Sequence, residues 1–154
     1  MQSKVLSTLP EGVPGSPATL NPMVHTVHNP LAEGAGVTVG NFVWRGTDPI
    51  RQVKVGGTGA PLGLAERNLV YARCQNVDSL GLLEGETVTV VTHGDMYVTT
   101  TTAATIGQKV FAVLATGAIA TGAAEASIEG AVETDWVVES AGSAGDTIII
   151  SHWS

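Results

Sequence analysis

At 154 residues the chain has room for one domain, and enough length to bury a core without disulfide or metal staples. Hydrophobic residues make up 44% of it and charged residues 14%, with 19 glycines and 7 prolines. That mixture disfavours intrinsic disorder and also long surface helices, whose outer faces draw on Lys, Glu and Leu. The net charge of −7 is unevenly placed: residues 1–109 hold all seven basic residues and eight acids, whereas residues 110–154 hold six acids and no Lys or Arg. An acidic chain of this kind does not track phosphates, so no nucleic-acid partner is expected.

The longest apolar stretch, Val110 to Ala120, is interrupted by Thr116 and Gly117, so no membrane partner is expected either. The opening residues lack the apolar run of a secretory signal. A single cysteine, Cys74, cannot form an internal disulfide and fits synthesis in a reducing cytoplasm.

Residues 1–35 differ from the rest. Pro10, Pro14, Pro17, Pro22 and Pro30 recur with glycines beside them, which rules out a helix or a central strand because proline fixes φ and removes a backbone donor. Leu20, Met23, Val24 and Val27 interrupt the segment with apolar groups. The reading is an extended arm that needs a surface to lie on, either its own domain or a neighbouring subunit, and these four residues are its candidate partner contacts.

Residues 36–154 read as an all-β domain, a small barrel or sandwich of short antiparallel strands. Val37 to Trp44 is rich in β-branched and aromatic residues, Gly46–Pro49 is a turn, and Arg51 to Val55 alternates with Val53 and Val55 on one face. Two extended pieces follow, Leu62–Arg67 and Leu69–Arg73. Glu86 to Thr92 and Met96 to Thr100 form the clearest predicted hairpin, turning at His93-Gly94-Asp95. A second joins Lys109–Leu114 to Ala118–Ala120, and a third joins Ala131–Glu139 to Thr147–Ser151, whose apolar run suits a strand buried on both faces or one crossing a barrel. Over residues 125–139 the acids fall on odd positions and Ile128, Val132, Trp136 and Val138 on even ones; a helix would stack Glu125, Glu129 and Glu133, so the strand is preferred.

Motifs that carry chemistry are thin. Gly57-Thr-Gly-Ala-Pro-Leu-Gly63 has its third glycine one position late for a dinucleotide loop and Pro61 where a helix would start, so it reads as a glycine-rich turn. His25 and His28 are not co-oriented by any helix. His93 beside Asp95 offers an imidazole–carboxylate pair or, as the commoner reading, a polar residue that stabilises the turn, and no further ligand stands at metal spacing. No nucleophile elbow occurs, and Cys74 reads as a core or strand cysteine. Neither a catalytic site nor a cofactor is expected. Trp44 and Trp136 sit in strand patterns as core residues; Trp153 is placed to pack on a neighbour or on the end of the domain. Thr99–Thr102 suits an edge strand.

Pro61-Leu-Gly-Leu-Ala-Glu-Arg-Asn68, Val88-Thr-Val-Val-Thr-His-Gly-Asp95, Gly107-Gln-Lys-Val-Phe-Ala112, Gly130-Ala-Val-Glu-Thr-Asp-Trp-Val-Val138 and Gly145-Asp-Thr-Ile-Ile149 together resemble, in order and spacing, the structural cement (capsid decoration) proteins of tailed bacteriophages. The resemblance covers about residues 36–152. It implies a β-barrel-like protein without catalytic activity, a homotrimer on the outer surface of the phage head, with the major capsid protein as partner. An alternative is a virion-surface carbohydrate- or receptor-binding module with Trp153 facing a glycan. A trimeric nucleotide hydrolase is disfavoured by the lack of Lys and Arg after Lys109.

Overall fold

The computed structural model describes residues 12–34, 36–68 and 81–153; the expected piece Leu69–Arg73 and Cys74 lie outside them. Twelve strands and no helix occur among the described residues: β1 (Val24–His25), β2 (Leu31–Ala32), β3 (Val37–Thr38), β4 (Phe42–Arg45), β5 (Gln52–Lys54), β6 (Gly63–Ala65), β7 (Gly81–Leu82), β8 (Val90–Thr99), β9 (Lys109–Val113), β10 (Ile119–Gly122), β11 (Ala131–Val138) and β12 (Thr147–His152). The order in the large sheet is β10-β9-β11-β12-β8-β6-β4-β5-β2, with β1 also on β8 and β3-β7 forming a separate ribbon. All of its pairs are antiparallel except β2 with β5. The sheet folds over itself as a sandwich and is not closed into a barrel.

Strand β8 joins the two halves, and here the sequence reading needs correction. His93-Gly94-Asp95 is not a hairpin turn; the chain runs straight through it. From Gly94 to Thr99, β8 pairs with β12, and at Val90 and Val91 it pairs with β6. Gly94 sits where the partner changes, at φ 142°, and a Cβ there would lie 3.0 Å from the Met23 side chain. The glycine marks a change of neighbours within one strand, which local sequence cannot separate from a reversal.

Two apolar clusters follow from the two faces. Phe42 and Trp44 of β4, Leu64 of β6 and Val91 of β8 join Met96, Val98, Val110, Ile119, Trp136, Val138, Ile148 and Ile150 in the space between the sheet halves. Their sequence neighbours Val43, Ala65 and Val90 point the other way, into a second cluster with Val37, Val53, Leu82 and Val88. The period-2 geometry of a strand thus feeds both clusters from β4, β6 and β8. The Phe42 and Trp136 rings meet edge-on, with centroids 6.5 Å apart.

Other expectations divide. The β9–β10 and β11–β12 hairpins form as read, and Thr134, Trp136 and Val138 are buried while Asp135 is exposed. Residues 125–130 precede the strand, which begins at Ala131. Val37 to Trp44 is broken at Gly40, whose φ of 82° turns the chain between β3 and β4. Strand β12 buries Ile148 and Ile150 on one face and leaves Ile149 half-buried, so it is not buried on both. The residues after β8 cover the free edge of β10: Thr101 N–H donates to the Ile119 carbonyl (2.8 Å), and Thr121 N–H donates to the Thr102 hydroxyl (2.8 Å). Such cover removes an open edge that would otherwise invite foreign strands.

The sandwich halves are locked where the β9–β10 turn meets β4. Phe42 N–H donates to the Gly117 carbonyl at 2.8 Å, Gly117 has φ 71°, and a Cβ there would overlap the Phe42 carbonyl oxygen. Gly117→Ala is therefore expected to cost about 2–4 kcal/mol, strain plus steric overlap. Gly107→Ala, at φ 87° with open space around it, should cost only about 1 kcal/mol. Urea melts of the two variants test the difference.

Candidate functional site

The described part of the arm, residues 12–34, lies on its own domain. Gly15 N–H donates to the Tyr97 carbonyl (2.7 Å), Tyr97 N–H to Ser16 (3.0 Å), Ala18 N–H to Asp95 (2.8 Å) and Thr26 N–H to Val90 (3.0 Å). Beyond Pro30 it crosses to β5, where Leu31 N–H reaches the Arg51 carbonyl (2.8 Å) and Glu33 N–H that of Val53 (2.7 Å). The prolines fit because only some residues of an edge segment need to donate to the sheet.

Asp95 holds this arrangement. It is 8% exposed, and its carboxylate accepts three hydrogen bonds: from the Thr19 hydroxyl (2.6 Å), the Asn21 amide (2.8 Å) and the Trp153 indole N–H (2.7 Å). Burial pushes its pKa up, but the bonds from Thr19, Trp153 and Asn21 together outweigh burial and leave it below the ordinary carboxylate value. One side chain of β8 therefore clamps the arm and the C-terminal Trp153, whose ring stays half-exposed. The sequence pairing of His93 with Asp95 does not form. His93 stacks instead on His152, with ring centroids 4.2 Å apart, and His152 lies 5.6 Å from Trp136.

Of the four arm residues singled out in the sequence, Met23 turns inward against the first cluster. Leu20 and Val27 are fully exposed and Val24 is half-exposed. The backbone of the arm is engaged with its own sheet while these three side chains face away from it. His25 bonds Glu66 at 2.8 Å.

Beside Val27 stands the β4–β5 turn, expected from Gly46–Pro49 in the sequence but given no functional role there. Glu33 receives the Thr47 N–H (2.6 Å) and hydroxyl (2.5 Å), Asp48 receives the N–H groups of Ile50 and Arg51 (3.0 and 3.1 Å), and Gln52 receives the Asp48 N–H (3.0 Å). Arg45 donates to the Pro49 carbonyl at 2.6 Å. Bonds from Thr47 hold the Glu33 pKa down, and backbone N–H groups do the same for Asp48. This turn presents Ile50, 57% exposed. Val27, Pro49 and Ile50 line a groove of about 460 Å³, and Arg45 and Leu62 connect it to a second groove of similar volume that includes Lys54. The signal was available in part: Gly46–Pro49 reads as a turn, but nothing local says that the isoleucine after it stays in solvent.

The Gly57–Gly63 loop wraps Trp44, whose indole N–H donates to the Gly59 carbonyl at 3.0 Å, as a glycine-rich turn should. No group of three or more metal-ligating side chains occurs among the described residues.

The model of the XM1 gp53 minor capsid protein family matches residues 1–152. The chain belongs to this family. Its fold is similar to a solved chain of "The capsid of Myoviridae Phage XM1", with a TM-score of 0.68 and 16% identity over 98% of this chain and 96% of that one. No curated protein matches. This family member is thus a phage capsid structural protein located in the virion, in keeping with the resemblance to capsid-associated proteins.

Because the folded pKa of Asp95 is depressed, its contribution to stability is complete above the ordinary carboxylate value near ~3.9 and is lost as pH falls through the lower folded value. Asp95→Asn is expected to lose about 1–3 kcal/mol at pH 7, with the gap to wild type narrowing toward pH 2. Thermal melts of both proteins between pH 2 and 7 measure it.

Proposed function

We propose that this protein decorates the outer surface of the assembled phage head, where it bridges neighbouring major capsid subunits as a homotrimer and catalyses no reaction. The observation that carries the reading is the described part of the arm: its backbone bonds to its own sheet at Gly15, Ser16, Ala18, Thr26, Leu31 and Glu33, while Leu20 and Val27 are fully exposed and Val24 is half-exposed. Exposed apolar side chains on a rigid backing are suited to a partner surface, since little entropy is lost in ordering them. The acidic β11 region, with Asp135 outermost, suits a face turned to solvent.

A ligand that binds the assembled lattice and not its separated subunits stabilises the lattice by mass action, about 2.7 kcal/mol per site at a hundredfold excess over Kd. Trimerisation adds avidity, because three copies engage adjacent subunits together.

Heads lacking the protein are expected to release DNA at lower temperature than decorated heads, and re-addition of the protein should restore the difference. Equal release temperatures would refute reinforcement. Light scattering of the free protein at three chain masses supports the trimer, and one chain mass removes it.

A further inference from the structure

We infer that the groove bordered by β11 and the Gly57–Gly63 loop is a binding site for a neutral sugar, held through its hydroxyl groups. The site adds a binding activity to the capsid role and is independent of how the protein meets the shell.

The groove has a volume of about 400 Å³, within the range of small-ligand sites, and takes in four consecutive residues of β11, Glu133 to Trp136, together with Pro61, Leu62 and His93. A regular strand sends successive side chains to opposite faces. Here the register slips: Glu133 pairs with Phe111 and Val137 with Lys109, so β11 advances four residues while β9 advances two. This irregularity re-aims side chains and lets Glu133, Asp135 and Trp136 share one groove.

The donor in the groove is Trp136. It is 3% exposed, and its indole N–H meets no acceptor among the described residues, whereas the indoles of Trp44 and Trp153 donate to the Gly59 carbonyl and to Asp95. Buried donors are nearly always paired, so this one calls for an acceptor from outside the chain. Its ring neighbours, Phe42 at 6.5 Å and His152 at 5.6 Å, border the same groove.

The other polar groups are acceptors. The Thr92 hydroxyl donates to the Val24 carbonyl (3.1 Å), so toward His93 it accepts, from Nδ1–H at 3.1 Å. The neutral His93 ring is thereby left with Nε2 as an acceptor. Glu133 is oriented by the Glu125 N–H on its Oε2 (2.7 Å), and Asp135 is exposed.

One buried donor, three acceptors and an apolar wall of Phe42, Pro61 and Leu62 select the ligand by elimination. An ammonium or guanidinium group only donates and leaves the indole unpaired. An anion meets two carboxylates. A metal ion lacks ligands, since no group of three or more metal-ligating side chains occurs among the described residues. Sugar hydroxyls both donate and accept, and the C–H face of the ring packs on apolar side chains.

The test is a titration of the full chain with the methyl glycosides of glucose, galactose and mannose, read on the three tryptophan indole N–H signals by NMR. Trp136→Phe assigns the Trp136 signal by removing it. At least one glycoside should move that signal and leave those of Trp44 and Trp153 in place. Asp135→Ala, at an exposed position, should weaken that glycoside about tenfold, as loss of a charged hydrogen-bond partner does; a thermal melt confirms that it is folded. Sialic acid, which carries a carboxylate, should bind more weakly than the neutral sugar. If no glycoside moves the Trp136 signal, or glycerol moves it equally, the inference is overturned. It is also overturned if Asp135→Ala binds as wild type, or if lysine methyl ester or zinc ion moves the signal and no sugar does. None of these outcomes touches the capsid role, which is read on heads.

Discussion

Everything in this fold depends on one ten-residue strand being shared by two sheet halves and by the arm. Val90–Thr99 gives its N-terminal end to β6 and β1, its C-terminal end to β12, and its backbone along the way to Gly15, Ser16 and Ala18. A strand has only two edges, so the change of partner at Gly94 is what lets three neighbours use it. The left-handed φ at that residue admits the reorientation, and the absence of a side chain leaves room for Met23. Alternation then sends Val91 to one apolar cluster and Val90 to the other.

Asp95 adds a polar tie to this backbone arrangement. A carboxylate so little exposed would be costly if left unpaired; three donors from two chain-distant segments meet it, and their bonds more than offset the desolvation. The arm and the C-terminal Trp153 are thereby held to the same strand that organises the core. Order in the arm comes from backbone and polar bonds and from Met23 packed on the first cluster, which leaves Leu20 and Val27 exposed. The reading of the arm as a partner contact, proposed above, rests on that division: polar groups turn inward on the sheet while Leu20 and Val27 stay exposed.

The second organising device is electrostatic. Residues 110–154 hold six acids and no Lys or Arg, whereas at the β4–β5 turn the carboxylates of Glu33 and Asp48 attract Lys54 and Arg51 and help hold the turn together.

The all-β class, the β9–β10 and β11–β12 hairpins and the buried alternation of Thr134, Trp136 and Val138 were determined by sequence alone, because each rests on turn chemistry or on period-2 patterning. The capsid setting was also legible, through the order and spacing of several segments. Long-range partners were not. Whether His93-Gly94-Asp95 reversed or continued depended on β12, some fifty residues away. Whether Asp95 met His93 or Trp153 depended on which segments converge on β8. Only the folded chain showed Met23 turned inward while Val27 faced solvent, and Ile50 held out on a braced turn. Local chemistry fixes how each segment bends; which surfaces remain uncovered is a property of the whole packing, since burial is decided by what arrives from elsewhere in the chain.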